Sequence, residues 1–340
     1  MAHREAVRTA ARPAPSPAAT RAAITVYGCG PDEAALLDEL AHRLDVELTI
    51  TAAAVTEGTA ELARGHRCIS IGHKSRVTNS TLRALCRAGV AYISTRSIGL
   101  DHIDLVYAER VGLRVENTVY SPDGVADYTL MLILMAVRQV GPIIRRAEAH
   151  DYTLAGRPGR ELRDLTIGVI GTGRIGAAVI TRLRGFGCPV LAHDRRPRAH
   201  AEQVPLDELL RRSDVVTLHA PHRGDTHHLL DRRRFELMKP GAFVINTGRG
   251  ALLDTEALVA ALDSGRLGGA ALDVLEGEEG IFYADRSATP IDNGLLLRLH
   301  QFPNVIVTPH VAYHTDRALR DTVENSIVNC LNVESGMQRG

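Results

Sequence analysis

The chain has 340 residues, of which 45% are hydrophobic and 24% are charged, and its formal net charge is zero. This length favours two domains over a single core, and the balanced charge lacks the basic excess of most nucleic-acid-binding proteins. The expected partner is therefore a small molecule, with no nucleic acid and no membrane.

The N-terminal segment and the cysteines give little sign of export. Residues 1–21 are rich in Ala, Pro and Arg, lack the apolar core of a signal peptide, and are predicted to be a disordered leader, with a transit peptide as the alternative. No apolar run reaches the roughly 18 residues of a membrane-spanning helix. The five cysteines have no Cys-x-x-Cys spacing, so neither disulfides nor a zinc knuckle are predicted, and a cytoplasmic location is expected.

The first folded unit begins at Ala22 and alternates short β-branched runs with helical patterns. Strands are predicted at "AITVYG", "CISIGH" and "VAYIST", and helices at "DEAALLDELAHRL" and "NSTLRALCRAG". Turn residues from Ser121 to Gly124 then precede one long, very apolar helix within "VADYTLMLILMAVRQVGPIIRRAEAH". A domain boundary is predicted near Asn117 to Ser121.

The second unit begins with a strand in "LTIGVIG" and repeats the same alternation. Further strands are predicted at "PVLAHD", "VVTLHA", "AFVINTG", "GGAALDV" and "NVIVTPH". The helix in "DTEALVAALDSG" is expected to be capped by Asp254 and ended by Gly265. Strands that alternate with helices indicate an α/β fold with doubly wound parallel sheets. The last helical segment, "TDRALRDTVENSIVNCLNVESG", can return to pack on the first unit.

A glycine-rich loop follows the first strand of the second unit. The spacing Gly171-x-Gly173-x-x-Gly176 between a strand and a helix is typical of dinucleotide-binding folds, in which the helix N-terminus attracts the pyrophosphate. Asp194 ends the next strand and is placed to accept hydrogen bonds from the adenosine ribose, which favours NAD over NADP. Three arginines follow directly and leave NADP as an alternative: Arg195, Arg196 and Arg198.

A second glycine pair, in "VYGCGPD", resembles this loop only in part. Gly28 and Gly30 follow a strand, but a third glycine is absent, and Asp32 and Glu33 stand where an anion would have to bind. We interpret this pair as a turn.

Polar residues end three further strands of the second unit. Arg249 follows "VINTG", Asp273 begins the acidic "DVLEGEE" segment, and His310 follows "VIVTP". The carboxyl ends of parallel strands meet at one edge, where ligands of such sheets bind. Histidine suits the proton donation that hydride transfer to a ketone requires, a neighbouring carboxylate holds the ring, and Arg binds a substrate carboxylate.

The segment "TPHVAYHT" places His310 and His314 four residues apart, which alone fits a metal site, an acid–base site or two surface histidines. Pro309 and the preceding strand argue against a shared helical face, and no third ligand has suitable spacing. No metal is therefore expected. His310 is the proposed proton donor, and His314 is left as a helix-entry or surface residue.

Together, "GTGRIG", "NTGRG", "ALDVLEGEE" and "TPHVAYHT" resemble the D-isomer-specific 2-hydroxyacid dehydrogenases, and within them the D-lactate dehydrogenase branch. "CISIGHKS", "GVAYISTRSIGLDHIDL", "YSPDGVADYTLMLILMAVR" and "EGEEG" resemble the enzymes of that branch found in vancomycin-resistance operons. The resemblance covers nearly the whole chain after the leader.

The resemblance implies roles for individual residues. The catalytic set would be Arg249, Glu278 and His310, and the substrate contacts would be Ile98, Gly99, Tyr120 and Tyr313. The implied cofactor contacts are Gly171, Gly173, Arg174, Ile175, Gly176, Asp194, Ala220, Pro221, Thr226, Thr247, Gly248, Arg249 and Asp273.

The resemblance also implies the domain plan and the activity. A flavodoxin-like substrate domain would comprise residues 22–118 and 314–340, and a Rossmann-like NAD-binding domain residues 119–313, in a homodimer. The expected reaction is the NADH-dependent reduction of pyruvate to D-lactate, which would supply D-alanyl-D-lactate for the cell wall. A dehydrogenase for another 2-keto acid and a non-enzymatic NAD-sensing partner protein are the alternatives.

Overall fold

The structure, a computed structural model, describes residues 21–156, 158–198 and 200–336. Residues 1–20 of the predicted leader, and residues 337–340 of the predicted substrate domain, lie outside the described residues. The described chain forms two parallel sheets, one of five strands and one of seven. This confirms the predicted α/β class.

The first sheet has the order β2-β1-β3-β4-β5, which is the flavodoxin-like arrangement. Its central strands are buried and correspond to the three predicted ones, whereas the edge strands β2 and β5, which are partly exposed, were not predicted. The strands are β1 (Ala23–Val26), β2 (Glu47–Ile50), β3 (Cys68–Ile71), β4 (Tyr92–Thr95) and β5 (Arg114–Asn117). The helices between them are α1 (Pro31–Arg43), α2 (Asn79–Ala88) and α3 (Leu105–Arg110).

The second sheet has the order β12-β11-β10-β9-β6-β7-β8, in which the strand order reverses between β6 and β9. That reversal is the switch point at which dinucleotides bind. The strands are β6 (Ile167–Ile170), β7 (Val190–His193), β8 (Glu202–Gln203), β9 (Val215–Leu218), β10 (Ala242–Asn246), β11 (Leu267–Leu272) and β12 (Val305–Val307). The helices that follow β6 are α6 (Arg174–Leu183), α7 (Leu206–Arg212), α8 (Arg232–Leu237), α9 (Thr255–Asp263) and α10 (Gly294–Gln301).

The prediction of one long apolar helix after Ser121 was wrong. The segment forms α4 (Asp123–Val137) and α5 (Val140–Glu148), bent by 69° at a break where Gln139 has a φ of 53°. Pro142 explains the break, because its ring would clash with the carbonyl four residues earlier in a continuous helix. Within the described part of the chain, no single helix is long and apolar enough to cross a membrane. This bent pair alone meets the length and composition criteria together.

The C-terminal helix α11 (Asp316–Glu334) packs on the first sheet, as the sequence allowed. The Ser326 hydroxyl lies 2.7 Å from that of Ser70 on β3, and Val323, Ile327 and Cys330 are fully buried against the sheet. Burying a Val or Ile side chain contributes about 1.5–3 kcal/mol to the stability of the fold, so this packing holds α11 firmly on the first sheet. The second sheet is thereby inserted between two segments of the first unit.

The glycine pair of "VYGCGPD" is a turn, as interpreted from the sequence. Gly28 has a φ of 62°, and Gly30 is the N-cap of α1. The Glu33 carboxylate is buried and accepts a 2.7 Å hydrogen bond from Arg96 Nε. This carboxylate and ion pair occupy the position that an anion would need.

Candidate active site

The carboxyl ends of strands from both sheets face one cleft. Arg249 follows β10, Asp273 and Glu278 follow β11, and His310 follows β12. From the first sheet, the segment after β4 brings Gly99 against Arg249: a Cβ built on Gly99 would lie 1.7 Å from Arg249 Nη2. The two sheets therefore meet at the predicted catalytic arginine.

The glycine-rich loop after β6 has the geometry of a phosphate cradle. Gly171 has a φ of 90°, and a Cβ there would lie 2.6 Å from the His219 backbone, while a Cβ on Gly176 would lie 1.9 Å from the Gly171 carbonyl oxygen. Apart from the neighbouring backbone, no atom of the described residues lies within 4 Å of a Cβ built on Gly173, so this position is open to a ligand. The first and third glycines serve close packing, and the second leaves room for a pyrophosphate.

A cavity of about 820 Å³ begins at this loop, which is large enough for a dinucleotide half. Asp194 lies on its wall and accepts hydrogen bonds from the backbone N–H of Thr172 at 2.6 Å and of Arg196 at 2.8 Å. Partial burial acts to raise the pKa of Asp194, but these hydrogen bonds outweigh it and keep the pKa below its usual value. The carboxylate is therefore charged and fits the ribose hydroxyls of NAD. The Arg195 guanidinium is paired with Asp225 at 2.5 Å.

Three more predicted cofactor residues lie on this cavity, namely Ala220, Pro221 and Thr226. The Thr226 hydroxyl donates a 2.7 Å hydrogen bond to the Pro221 carbonyl, so it shapes the loop. The Arg174 guanidinium donates to the Tyr120 carbonyl at 2.9 Å, and Arg174 is not among the residues that line the cavity. Arg174 begins α6, directly after the glycine-rich loop.

The remaining predicted cofactor residues lie deeper in the cleft. The Thr247 hydroxyl is 2.8 Å from that of Thr129 on α4, and the backbone N–H of Gly248 donates to the Asn246 side chain at 3.0 Å. Ile175 packs in a small apolar cluster with Tyr120. Thus Thr247 and Gly248 are held by internal hydrogen bonds at the end of β10.

His310 and Glu278 form a close pair. His310 Nδ1 lies 2.6 Å from Glu278 Oε1, and the other carboxylate oxygen accepts a 2.7 Å hydrogen bond from the Leu275 backbone. Both side chains are mostly buried, with 19% and 18% of their surfaces exposed. Among the residues that the structure describes, none is hydrogen-bonded to His310 Nε2. This nitrogen faces the cleft, while Glu278 holds Nδ1.

Asp273 holds the turn that carries His310. Its fully buried carboxylate accepts hydrogen bonds from the Thr308 hydroxyl at 2.6 Å and from the backbone N–H groups of Val311 and Ala312 at 3.0 and 2.9 Å. Its backbone carbonyl accepts the His310 N–H at 2.8 Å. His310 has a φ of 56°, a conformation that costs energy for a side chain other than glycine. Asp273 therefore positions His310, a role that its place before the acidic segment did not indicate.

Arg249 is oriented by a residue that sequence reasoning missed. Its Nε donates a 2.7 Å hydrogen bond to Asp101, and its Nη1 donates to the Gly248 carbonyl at 2.8 Å. Asp101 stands two residues after Gly99, in the segment expected to bind the substrate carboxylate. This closeness in sequence to a predicted substrate contact was the one signal that could have identified Asp101. A contact between the two sheets leaves no spacing pattern in the sequence.

Aromatic rings surround His310. The predicted Tyr313 ring lies 6.2 Å from the His310 ring, between centroids, and 6.4 Å from the Tyr120 ring. Two unpredicted rings complete the cage: His73 lies 5.8 Å and Tyr283 5.9 Å from His310. The Tyr283 hydroxyl also donates to the His310 carbonyl at 2.9 Å. Ile98, another predicted substrate contact, packs in the cluster that contains Tyr120 and Tyr313.

Burial changes the ionisation of this cage. It lowers the pKa of His73 to about 3, helped by the neighbouring charge of His310, so His73 is neutral at physiological pH. Burial also raises the pKa of Tyr120 and of Tyr313 to about 12 each, which keeps both hydroxyls protonated. These three side chains of the cage are therefore uncharged.

His314 lies apart from this pair. It precedes Thr315, the N-cap of α11, and its Nε2 is 3.4 Å from Asp32 Oδ2 with more than half of the side chain exposed. It is the helix-entry surface residue that the sequence indicated. His310 and His314 of "TPHVAYHT" both precede α11 and do not share a helix.

The fold and the cleft define a nucleotide-dependent dehydrogenase: a phosphate loop at a switch point leads to a cleft with an imidazole–carboxylate pair and an arginine. Residues 130–312 match the family model described as the D-isomer specific 2-hydroxyacid dehydrogenase, NAD binding domain. The chain belongs to the D-isomer-specific 2-hydroxyacid dehydrogenase family, and its cofactor is NAD.

Relatives agree over almost the full length. A D-specific alpha-keto acid dehydrogenase of Enterococcus faecium is 58% identical over 311 residues, which cover 92% of this chain and 97% of that protein. An aromatic 2-oxoacid reductase of Clostridium sporogenes is 35% identical and covers 92% and 96% of the two chains. The solved structure of the pyruvate reductase of Chlamydomonas reinhardtii has a TM-score of 0.86 at 32% identity and covers 94% and 98%.

Proposed function

We propose that this protein reduces pyruvate to D-lactate with NADH, with Arg249, Glu278 and His310 as its catalytic residues. The observation that carries the proposal is the 2.6 Å contact between His310 and Glu278 at the sheet edge where Arg249 also follows a strand. A proton donor and a carboxylate-binding cation at one sheet edge suit a small 2-keto acid.

NADH, when bound along the cavity that begins at Gly171, supplies the hydride that reduces the keto carbon. His310 Nε2 donates a proton to the keto oxygen, and Glu278 on Nδ1 keeps the ring in the orientation that allows this. Arg249 binds the substrate carboxylate beside the backbone of Ile98 and Gly99. Asp101 holds Nε of Arg249 and leaves Nη2 for the substrate.

The aromatic cage supports a small substrate. The His73 ring lies 5.1 Å from the Tyr313 ring and 5.7 Å from the Tyr283 ring, distances at which aromatic rings are in contact. Rings packed this closely beside His310 would narrow the space for a substrate side chain. This favours pyruvate over the aromatic 2-oxo acids named for the Clostridium sporogenes relative.

A substrate panel tests the proposal directly. Purified protein and NADH are mixed with pyruvate, 2-oxobutyrate, 2-oxoisocaproate or phenylpyruvate, and the loss of NADH absorbance gives kcat/KM for each acid. We expect the largest value for pyruvate and D-lactate as the product. A larger value for phenylpyruvate would identify a different 2-hydroxyacid dehydrogenase, and no turnover with any acid would favour a non-enzymatic NAD-sensing protein.

The cellular role follows from the product. D-lactate made by this enzyme would be joined to D-alanine in cell-wall precursors that vancomycin binds weakly, in the cytoplasm. The sequence motifs shared with the dehydrogenases of vancomycin-resistance operons support this role. Growth of a vancomycin-sensitive host that has the remaining resistance genes, with and without this gene, tests it.

We also propose a homodimer. Large apolar side chains are exposed on α4, on α5 and in the segment after α5, and exposed apolar surface favours association. They are Met131, Ile143, Ile144, Tyr152 and Leu154. Light scattering after size exclusion should give twice the chain mass, and Ile144→Glu should shift the protein towards the monomer.

A further inference from the structure

A second group of polar side chains lies outside the cleft, where the loop after β9 meets the loop after β11. It consists of His227, His228 and Glu276, whose nearest nitrogen and oxygen atoms all lie within 4.8 Å of one another. None of the three belongs to the predicted catalytic or cofactor set. Within the described residues, this is the group of three or more His, Cys, Asp or Glu side chains that is close enough to share a metal ion.

The geometry of this group is well defined on two sides. His228 Nε2 lies 2.9 Å from one oxygen of Glu276 and 3.2 Å from the other. The His227 ring stacks on the His228 ring with centroids 4.0 Å apart and an interplanar angle of 22°. About one third of each side chain of the His228–Glu276 pair is exposed, and His227 is exposed, so an ion can enter from solvent.

The backbone holds His228 towards Glu276. His228 has a φ of 48°, and its N–H donates a 2.8 Å hydrogen bond to the Ala251 carbonyl. A Cβ on Gly250 would lie 2.3 Å from the Glu276 backbone nitrogen, so the β10 loop packs directly against the segment that carries this carboxylate. Two of the three side chains are therefore presented by a backbone that is already ordered.

We propose that His227, His228 and Glu276 bind one divalent transition-metal ion, with Zn²⁺ as the preferred ion. Two imidazoles and one carboxylate form the ligand set of open zinc sites, with water in the remaining position. Zinc holds each such ligand at about 2.0–2.2 Å, which places the ligand atoms of a tetrahedral site about 3.3–3.6 Å from one another. The 2.9 Å contact between His228 and Glu276 must therefore lengthen slightly, and the His227 nitrogen must turn towards the ion. A rotation of the exposed His227 side chain supplies that movement.

The ion would join two functional loops. The residues just before His227 line the cofactor cavity, namely Pro221, Arg223, Asp225 and Thr226, and Glu276 lies two residues before Glu278. A metal ion on Glu276 would tie the cofactor loop to the segment that carries Glu278. This inference does not rest on the substrate proposed above, because binding is measured without turnover.

Calorimetric titration of the full-length protein with ZnCl₂, in the presence of NAD, tests the site. We expect saturable binding of one equivalent. His227→Ala, His228→Asn and Glu276→Gln should each weaken binding by at least about tenfold, since even the loss of an outer partner of a metal ligand costs about 10–100-fold. His227 is exposed, so its variant is expected to fold normally.

Two matched controls separate the site from surface binding. His300→Ala removes an exposed histidine on α10, and Glu279→Gln removes a carboxylate from the same acidic segment. Both should bind zinc like the unaltered protein. Co²⁺ gives a second readout, because its visible spectrum reports four- or five-coordination in the site. Absence of saturable Zn²⁺ binding, or equal binding by His227→Ala and the unaltered protein, would overturn the proposal and leave an ordinary imidazole–carboxylate pair.

Discussion

Two imidazole–carboxylate pairs stand on opposite sides of the segment that follows β11. In the cleft, His310 lies 2.6 Å from Glu278, and outside it His228 lies 2.9 Å from Glu276. Both histidines have a positive φ, 56° and 48°. Their surroundings differ: the first pair is less than one fifth exposed and caged by aromatic rings, whereas about one third of the second pair is exposed beside another imidazole. The same imidazole–carboxylate contact therefore suits different chemistry in the two places, because different groups surround the imidazole nitrogen that does not contact the carboxylate.

The largest expected difference between the two pairs is in turnover. His310→Ala removes the proton donor and should lower kcat about 10²–10⁴-fold, the usual contribution of general acid catalysis. His228→Asn should have a much smaller effect, since its ring faces solvent. Steady-state assays with pyruvate measure both, and NADH fluorescence titration checks that cofactor binding is retained. Equal losses in the two variants would remove the distinction between the pairs.

Arg249 is the next feature that only the cleft pair has. Arg249→Ala should lose about 2–5 kcal/mol of transition-state stabilisation in kcat/KM, as when one partner of a desolvated charge pair is truncated. Arg233→Ala is the matched control, because this exposed arginine on α8 pairs with Asp207 at the surface. Near-normal kcat/KM for pyruvate in Arg249→Ala would mean that another group binds the substrate carboxylate.

His219 sharpens the comparison, because it is an imidazole without a carboxylate. Its Nε2 lies 3.0 Å from the Thr217 hydroxyl, and its buried Nδ1 has no hydrogen-bond partner among the described residues. Burial lowers the pKa of His219 to about 3, so the folded state keeps it neutral.

The consequence is a pH-dependent stability. Below pH 6.5 the unfolded chain binds a proton at His219, whereas the folded chain does so only near pH 3. The contribution of neutral His219 to the free energy of unfolding is therefore complete above pH 6.5 and is lost as the pH falls towards 3. At pH 5 the loss is about 2 kcal/mol. Urea unfolding of the unaltered protein and of His219→Gln at pH 7.5 and pH 5 measures it. Parallel losses in the two proteins would show that His219 is not responsible.

The smallest expected effect concerns the aromatic cage around His310, which the His228–Glu276 pair lacks. His73→Ala should open space beside Tyr313 and raise the ratio of kcat/KM for 2-oxobutyrate to that for pyruvate about tenfold, the usual scale for one methylene in an apolar pocket. Tyr107→Ala, at a tyrosine on α3 outside the cage, is the control. An unchanged ratio would place the substrate side chain elsewhere.

Prediction from sequence succeeded where burial was continuous. Strands β3, β4, β6 and β10 are buried at every residue and appear as short runs of mainly apolar and β-branched residues. The edge strands β2, β5 and β8 are partly or fully exposed, so their composition does not differ from that of loops. The break between α4 and α5 was readable from Gly141 and Pro142, but the apolar pattern on both sides outweighed it.

The residues of the candidate site also divide into those that the sequence predicted and those that it did not. Arg249 and His310 follow strand ends within one sheet, where topology predicts that they lie close together, whereas only the family resemblance singled out Glu278 among the carboxylates of the acidic segment. His73 ends a predicted strand of the other sheet, and Asp101 follows a predicted substrate contact, yet their partners are set by how the two sheets face each other. Tyr283, with a φ of 64° in a loop, has no periodic signal at all. Contacts between separately folded units are therefore the part that the sequence pattern leaves open.

The most direct test of this account is the reduction of pyruvate by NADH in the unaltered protein and in His310→Ala, followed by chiral analysis of the lactate. For the unaltered protein we expect rapid loss of NADH absorbance with D-lactate as the product. For His310→Ala we expect a fall of at least about 10²-fold in kcat. L-lactate as the product, or unchanged turnover in His310→Ala, would contradict it.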